Sequence, residues 1–308
     1  MATARLTEPL GPATSPRIEG EAQALARVLP RLALEARQVS AQVALGIHGR
    51  RRAGPGETFW QFRPFTSGEP ADRIDWRRSA RDDRLYVRER EWETASTWWL
   101  WIDCSASMGY VSSLARAAKR DRAIVLAFAA ADLLVRGGER VGLLGLSTPV
   151  SSRTVIPRLA EALLMGGTRT EAAFPENALP GPRDRVLLIG DFILPAEEFA
   201  VRFSALTGRG AAGTAVMVRD PAETLFPFSG ETEFEGAEDR LRWRVGDAHD
   251  MAPLYKERLA AHAAALRAAV TRRGWSFLSH SSGETAAEGL LKLAALIENG
   301  AARAAGAR

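Results

Sequence analysis

The sequence predicts an α/β protein: an open, mostly parallel sheet with helices on both faces, preceded by a helical segment and an antiparallel β elaboration. Three observations carry this expectation. Short apolar runs alternate with helical periodicity across residues 96–297, the strand-then-helix repeat of a doubly wound sheet. The run Ser96-Thr97-Trp98-Trp99-Leu100-Trp101-Ile102 is almost continuously apolar, as a strand covered on both faces requires. Upstream, residues 59–65 and 84–92 are rich in aromatic and β-branched residues with partial alternation, the pattern of antiparallel strands.

Met1 to Pro16 is small, polar and proline-marked, so residues 1–17 are expected to form a disordered leader. Residues 18–95 follow as an N-terminal helix and β elaboration. Within them Leu25, Val28, Leu29, Leu32, Leu34 and Val43 recur at loosely helical spacing, and Pro30 is expected to kink or divide the helix. The turn signal Thr66-Ser67-Gly68-Glu69-Pro70 and then Ile74-Asp75-Trp76 separate the two β segments.

The large α/β domain spans 96–300, with strands expected at 96–102, 141–146, 154–156, 185–190, 214–218 and 275–278. Helices are expected at 114–134, 159–165, 195–207, 251–272 and 286–297, a hairpin or edge strands between Glu231 and Val245, and a flexible tail over 301–308.

Composition narrows the function classes. With 46% hydrophobic and 25% charged residues in 308, the chain is an ordinary globular protein. Its net charge of +4 is the small difference between 41 basic and 37 acidic residues, which is weak support for nucleic acid. The run Gly49-Arg50-Arg51-Arg52 leads straight into Ala53-Gly54-Pro55-Gly56 and reads as a solvated linker or a docking patch. Cys104 is the sole cysteine, so there is no intrachain disulfide and no cysteine-rich zinc site. No apolar stretch reaches the roughly 20 residues needed to cross a bilayer, and no export signal is visible. The expected location is the cytoplasm.

Ligands of an open α/β sheet lie beyond the C-terminal ends of its strands. The first central strand runs into Asp103-Cys104-Ser105-Ala106-Ser107, where a sharp turn would bring one carboxylate and two hydroxyls to a common point. Gly166-Gly167-Thr168-Arg169-Thr170 can add a hydroxyl from Thr168 or Thr170, and Asp191 follows the run Val186 to Gly190. Oxygen-only donors of this kind suit Mg2+ or Mn2+ and not zinc. The D-x-S-x-S pattern alone arises by chance in roughly one chain of this size in ten or twenty; its place after the most strand-like run gives it weight. The competing reading is that Asp103, Ser105 and Asp191 cap helices.

Other chemistries lack their parts. No dinucleotide or phosphate-loop glycine motif and no hydrolase elbow is present. Cys104 has no histidine or arginine near it in sequence and reads as a small buried side chain. An aspartyl phosphotransferase would want a second carboxylate at the position of Ser105. His48, His249, His262 and His280 show no ligand spacing. Asp75 is expected to brace the Arg73-Asp75-Trp76 segment through an arginine, and Trp98, Trp99 and Trp101 to pack the sheet.

Asp103-Cys104-Ser105-Ala106-Ser107, Thr168 and Asp191 resemble the metal ion-dependent adhesion site of von Willebrand factor A-type domains. Gly54-Pro55-Gly56-Glu57, Arg63-Pro64-Phe65, Gly68-Glu69, Arg73-Ile74-Asp75-Trp76, Ser79-Ala80-Arg81 and Val87-Arg88-Glu89 resemble the signature of the bacterial family of unknown function numbered fifty-eight, which couples it to an A-type domain. The resemblance implies a von Willebrand factor A-like fold over residues 96–300 and Mg2+ (or Mn2+) held by Asp103, Ser105, Ser107 and Thr168. Asp191 would act through water, and an aspartate or glutamate of a partner protein would complete the shell. It further implies association with an AAA+ ATPase of the MoxR type, or with its client, in assembly or maturation of a complex. The function expected is therefore a non-enzymatic, cation-dependent protein-protein interaction module, with no nucleic acid and no transmembrane segment. Its alternatives are a metal-dependent phosphoesterase or hydrolase and a structural subunit with a vestigial site.

Overall fold

The structure is a computed structural model that describes residues 15–48, 59–66, 70–81, 84–90, 96–166, 174–175, 180–237 and 241–306. The chain divides into two compact units, one formed by residues 1–47 and 96–308 and the other by residues 48–95.

In the larger unit, strands β3 (Thr97–Ile102), β4 (Arg140–Leu143), β5 (Arg185–Gly190), β6 (Ala212–Arg219) and β9 (Ser276–Ser281) form one sheet in the order β4-β3-β5-β6-β9. Every neighbouring pair is parallel, and Val150 adds one antiparallel bridge to Val141. The chain moves outward from β3 to β4 and then crosses back to β5, so the strand order reverses between β3 and β5. That reversal opens a crevice at the C-terminal edge.

Alternation along β3 explains its tryptophans. Trp98, Leu100 and Ile102 join the core on one face, whereas Trp101 joins the core on the other, with Trp99 packed against it. The first face is covered by α3 (Lys119–Arg136), α4 (Val155–Gly166) and α8 (Ala286–Gly306), the second by α5 (Ala196–Thr207) and α7 (Ala252–Arg272). Residues 123–131 of α3 are all buried, because helices enclose it on the sides that the sheet leaves open. This is the expected open, parallel α/β sheet, consistent with a von Willebrand factor A-like arrangement.

Helix α1 (Ser15–His48) packs over this first face. Its buried residues Leu25, Leu29, Leu32, Ala36, Val39 and Val43 step by four and three in strict alternation, which draws one stripe along a helix. Pro30 sits on the exposed side of that stripe and leaves the helix in one piece, against the expectation of a break. The Ser40 hydroxyl donates to the Asp132 carboxylate and so ties α1 to α3.

Some boundaries differ from the sequence reading. Residues 154–156 were expected to be a strand; Val155 and Ile156 instead open α4 and share its buried face with Leu159 and Leu163, and the Val155 amide donates to the Ser152 carbonyl. The helix expected from residue 114 starts at Lys119, because residues 103–118 form the loop at the sheet edge. Helix α1 begins inside the stretch read as a leader, and α8 continues to Gly306. A short helix α6 (Pro221–Leu225) and the antiparallel hairpin β7 (Thr232–Glu235) with β8 (Arg242–Val245) lie between β6 and α7.

In the smaller unit, β1 (Phe59–Pro64) pairs antiparallel with β2 (Tyr86–Arg90). The four-residue α2 (Trp76–Ser79) is capped by Asp75, whose carboxylate accepts the Arg78 amide at 2.9 Å, and Trp76 is exposed. Residues 1–14, the arginine run 49–52 with its following turn, the segment 67–69 and Gly167-Thr168-Arg169-Thr170 lie outside the described residues.

Candidate functional site

The ladder between β3 and β5 carries one step past the last strand residue, since the Asp103 amide donates to the Ile189 carbonyl at 2.9 Å. This fixes Asp103 at the crevice between the two strands. The approach is close. A Cβ on Gly190 would stand 2.8 Å from the Asp103 Cβ and 2.9 Å from its Oδ2, so a glycine is required to admit the carboxylate. Asp191 follows immediately, and the backbone then turns through Phe192 at φ 53°. That left-handed conformation is costly for a bulky residue. Packing of the buried Phe192 ring against Trp101 and Phe199 holds it there.

Asp103 Oδ1 accepts the Ser105 amide at 2.9 Å, which bends the chain so that both serines face back toward the strand ends. Ser105 Oγ lies 3.2 Å from Ser107 Oγ, and Ser107 Oγ donates to Asp191 Oδ2 at 2.8 Å. All four residues are buried, while Ala106 between the serines is exposed, so the loop reaches the surface. The structure thus brings together Asp103, Ser105, Ser107 and Asp191. Thr168 belongs to the segment outside the described residues.

The donor set can be tested against an ion. Mg2+ takes near-octahedral oxygen ligands at about 2.0–2.1 Å, so neighbouring ligands stand about 3.0 Å apart. The two oxygen spacings above, 3.2 and 2.8 Å, bracket that edge. They are also hydrogen-bond lengths, which means the oxygens are held at this spacing by one another. The residues fit a hard divalent cation. Among the described residues no three of His, Cys, Asp or Glu converge on one point, so hydroxyls are the donors that distinguish this cluster.

A residue that sequence reasoning missed completes the cluster. The Lys119 ammonium, 1% exposed, lies 2.8 Å from Asp191 Oδ2 and 2.5 Å from Glu223 Oε1. Burial alone would push this lysine down, but the Asp191 and Glu223 carboxylates outweigh it and hold it above its ordinary value. Lys119 opens α3, a position where the helix dipole disfavours a cation; the two carboxylates supply the compensation. Glu223 is itself fixed by a capping box at α6, in which Asp220 accepts the Ala222 amide and Glu223 Oε2 accepts the Asp220 amide. Ser112 donates its amide and hydroxyl to Asp220, so the 103–118 loop is anchored to the end of β6 at two points.

Asp191 therefore spends Oδ2 on Ser107 and Lys119, and Oδ1 on the Ile193 amide at 3.3 Å. It orients Ser107 while being oriented itself. Formally, the three carboxylates of Asp103, Asp191 and Glu223 and the Lys119 ammonium leave two negative charges, which one dication would neutralise.

Comparison with known proteins adds a family and no activity. A family model described as a protein of unknown function, DUF58, matches residues 61–268. Uncharacterized proteins of Mycobacterium bovis and Mycobacterium tuberculosis are 30% identical to the chain over 275 residues, with 80% of this chain and 80% of each relative covered. Among the described residues no helix is long and apolar enough to cross a membrane.

Proposed function

Since the chain belongs to the DUF58 family, whose description assigns no activity, we propose from the site itself that it is a divalent-cation-dependent protein-protein interaction module. Asp103, Ser105, Ser107 and Thr168 would hold Mg2+ or Mn2+, with Asp191 orienting Ser107 from behind. When bound, the cation would supply a positive, directional anchor for an aspartate or glutamate of another protein. The observation that supports this reading best is the Ser105-Ser107-Asp191 oxygen row at octahedral spacing, placed beside Asp103 at the strand-order reversal.

The chain's own residues divide the work. Asp103 contributes charge, the two serines contribute neutral oxygens that leave the ion attractive to a further anion, and Lys119 keeps Asp191 from competing for that ion. The partner we propose is an AAA+ ATPase of the MoxR type or its client, acting in complex assembly in the cytoplasm. A hydrolase would need a general base at the same place. The carboxylates that the fold brings there besides Asp103 are already engaged: Asp191 by Ser107, Lys119 and the Ile193 amide, and Glu223 by Lys119 and the Asp220 amide, while Lys119 is held as a cation between them. The test is capture of such an ATPase on the immobilised full chain. Binding in Mg2+ should vanish with EDTA or with Asp103→Ala; capture that persists in EDTA would sink the reading.

A further inference from the structure

Beside α1, α3 and α8 lies a cavity of about 340 Å3, within the roughly 300–1,000 Å3 of small-ligand sites. Arg122, in the first turn of α3, lines it and is 4% exposed. Its Nε meets no hydrogen-bond acceptor, and its Nη2 reaches the Ser282 carbonyl only at 3.4 Å. A buried guanidinium left this short of acceptors is costly. Burial pushes its pKa down from the ordinary value. Glu35 and Glu284 act on this guanidinium through space, yet no acceptor meets its Nε.

Two further observations aim at the same space. Thr285, Ala286 and Ala287 line it from the start of α8, a helix of 21 residues; the Thr285 and Glu288 amides are taken by their mutual capping box, and those of Ala286 and Ala287 fall in the first turn, where the helix ladder supplies no acceptor and anions are attracted. Arg31 and Arg116 line it from its rim, Arg116 being positioned by Nε on the Gly283 carbonyl at 3.0 Å. Glu35 and Asp121 also line the cavity, and Arg31 stands 3.6 Å from Asp121. The lining thus carries three arginines and two carboxylates, and from outside it Glu284 acts on Arg122 and Glu288 on Arg116. Glu288 closes a box with Thr285 at the helix start without entering the lining.

We propose that this cavity binds a phosphate-class oxyanion, with Arg122 and Arg116 as its guanidinium forks and the start of α8 as its amide donor. A tetrahedral oxyanion offers enough acceptors for two forks and a helix start at once, which chloride does not. The site is separate from the Asp103 cluster, and its occupation does not depend on a cation there.

The experiment is calorimetric titration of the full chain with inorganic phosphate and with pyrophosphate at constant ionic strength, with chloride as control, for wild type, Arg116→Gln and Arg122→Lys. Saturable binding of either phosphate, absent for chloride and weakened about tenfold or more by Arg116→Gln, supports the site. Tighter pyrophosphate marks a phosphoanhydride ligand, and equal or tighter phosphate marks the free ion. Arg122→Lys keeps the charge and removes the fork, and should weaken binding as well. Arg116→Gln, on the exposed rim, decides the matter even if the buried variant fails to fold. Non-saturable heats, or Arg116→Gln binding as tightly as wild type, would overturn the proposal.

Discussion

At the scale of single residues, the buried Lys119 governs the candidate site. It neutralises two carboxylates in a dry setting, and breaking such a pair by removing one member costs about 3–5 kcal/mol. Lys119→Met should therefore lower unfolding free energy by roughly that amount in urea titrations, and added Mg2+ should recover part of the loss by giving Asp191 another counterion. Equal stability of wild type and variant would remove the lysine from the account. Asp103, Ser105, Ser107 and Asp191 were legible in the sequence because their types and their places just after apolar runs coincide. Lys119 was not legible: a lysine at a helix start contradicts the dipole preference, and its partners are 72 and 104 residues away. Glu223 was hidden for another reason, since Asp220-Pro221-Ala222-Glu223 reads as an ordinary helix start.

At the scale of elements, the apolar periodicity of α1 showed a helix but not that it stays whole at Pro30, because which side of the stripe a proline occupies follows only from what the helix packs against. Val155 and Ile156 misled in the same way. Two β-branched residues look strand-like alone, and their helical face emerges only with Leu159 and Leu163. Docking of α1 predicts that Leu29→Ala and Leu32→Ala each cost about 2–5 kcal/mol, whereas Leu34→Ala, at a position 57% exposed, changes stability by about 0.5 kcal/mol or less. Chemical denaturation of the three variants checks this; equal effects would mean that α1 is not docked.

The end of β9 carries a pH dependence. Burial, then the Arg122 charge, lowers His280 from 6.5 to about 4 against the opposing pull of Glu284, and Gly289 of α8 leaves the space its ring fills. The unfolded chain binds a proton there from about pH 6.5 downward and the folded chain only near pH 4. Stability from this residue is thus complete above about pH 7 and declines as pH falls through that window, by up to about 3 kcal/mol. Unfolding free energies at pH 7 and 4.5 should differ less for His280→Asn than for wild type; an unchanged slope would assign the decline elsewhere.

At the scale of the whole molecule, the strand-helix alternation revealed the class of fold, while the order β4-β3-β5-β6-β9 could not be read from it, because strand order is set by packing between segments distant in sequence. That order matters most for function. It places the ends of β3 and β5 side by side at the reversal, so that Asp103 and Asp191, 88 positions apart in the chain, come to serve one cluster. The central claim is that this cluster holds a divalent cation, and its most direct test is titration of the full chain with Mn2+ followed by the paramagnetic signal of the free ion. The account predicts saturable uptake of one Mn2+ per chain, competed by Mg2+ and abolished in Asp103→Ala. No uptake at millimolar Mn2+, or the same uptake by the variant, would contradict it.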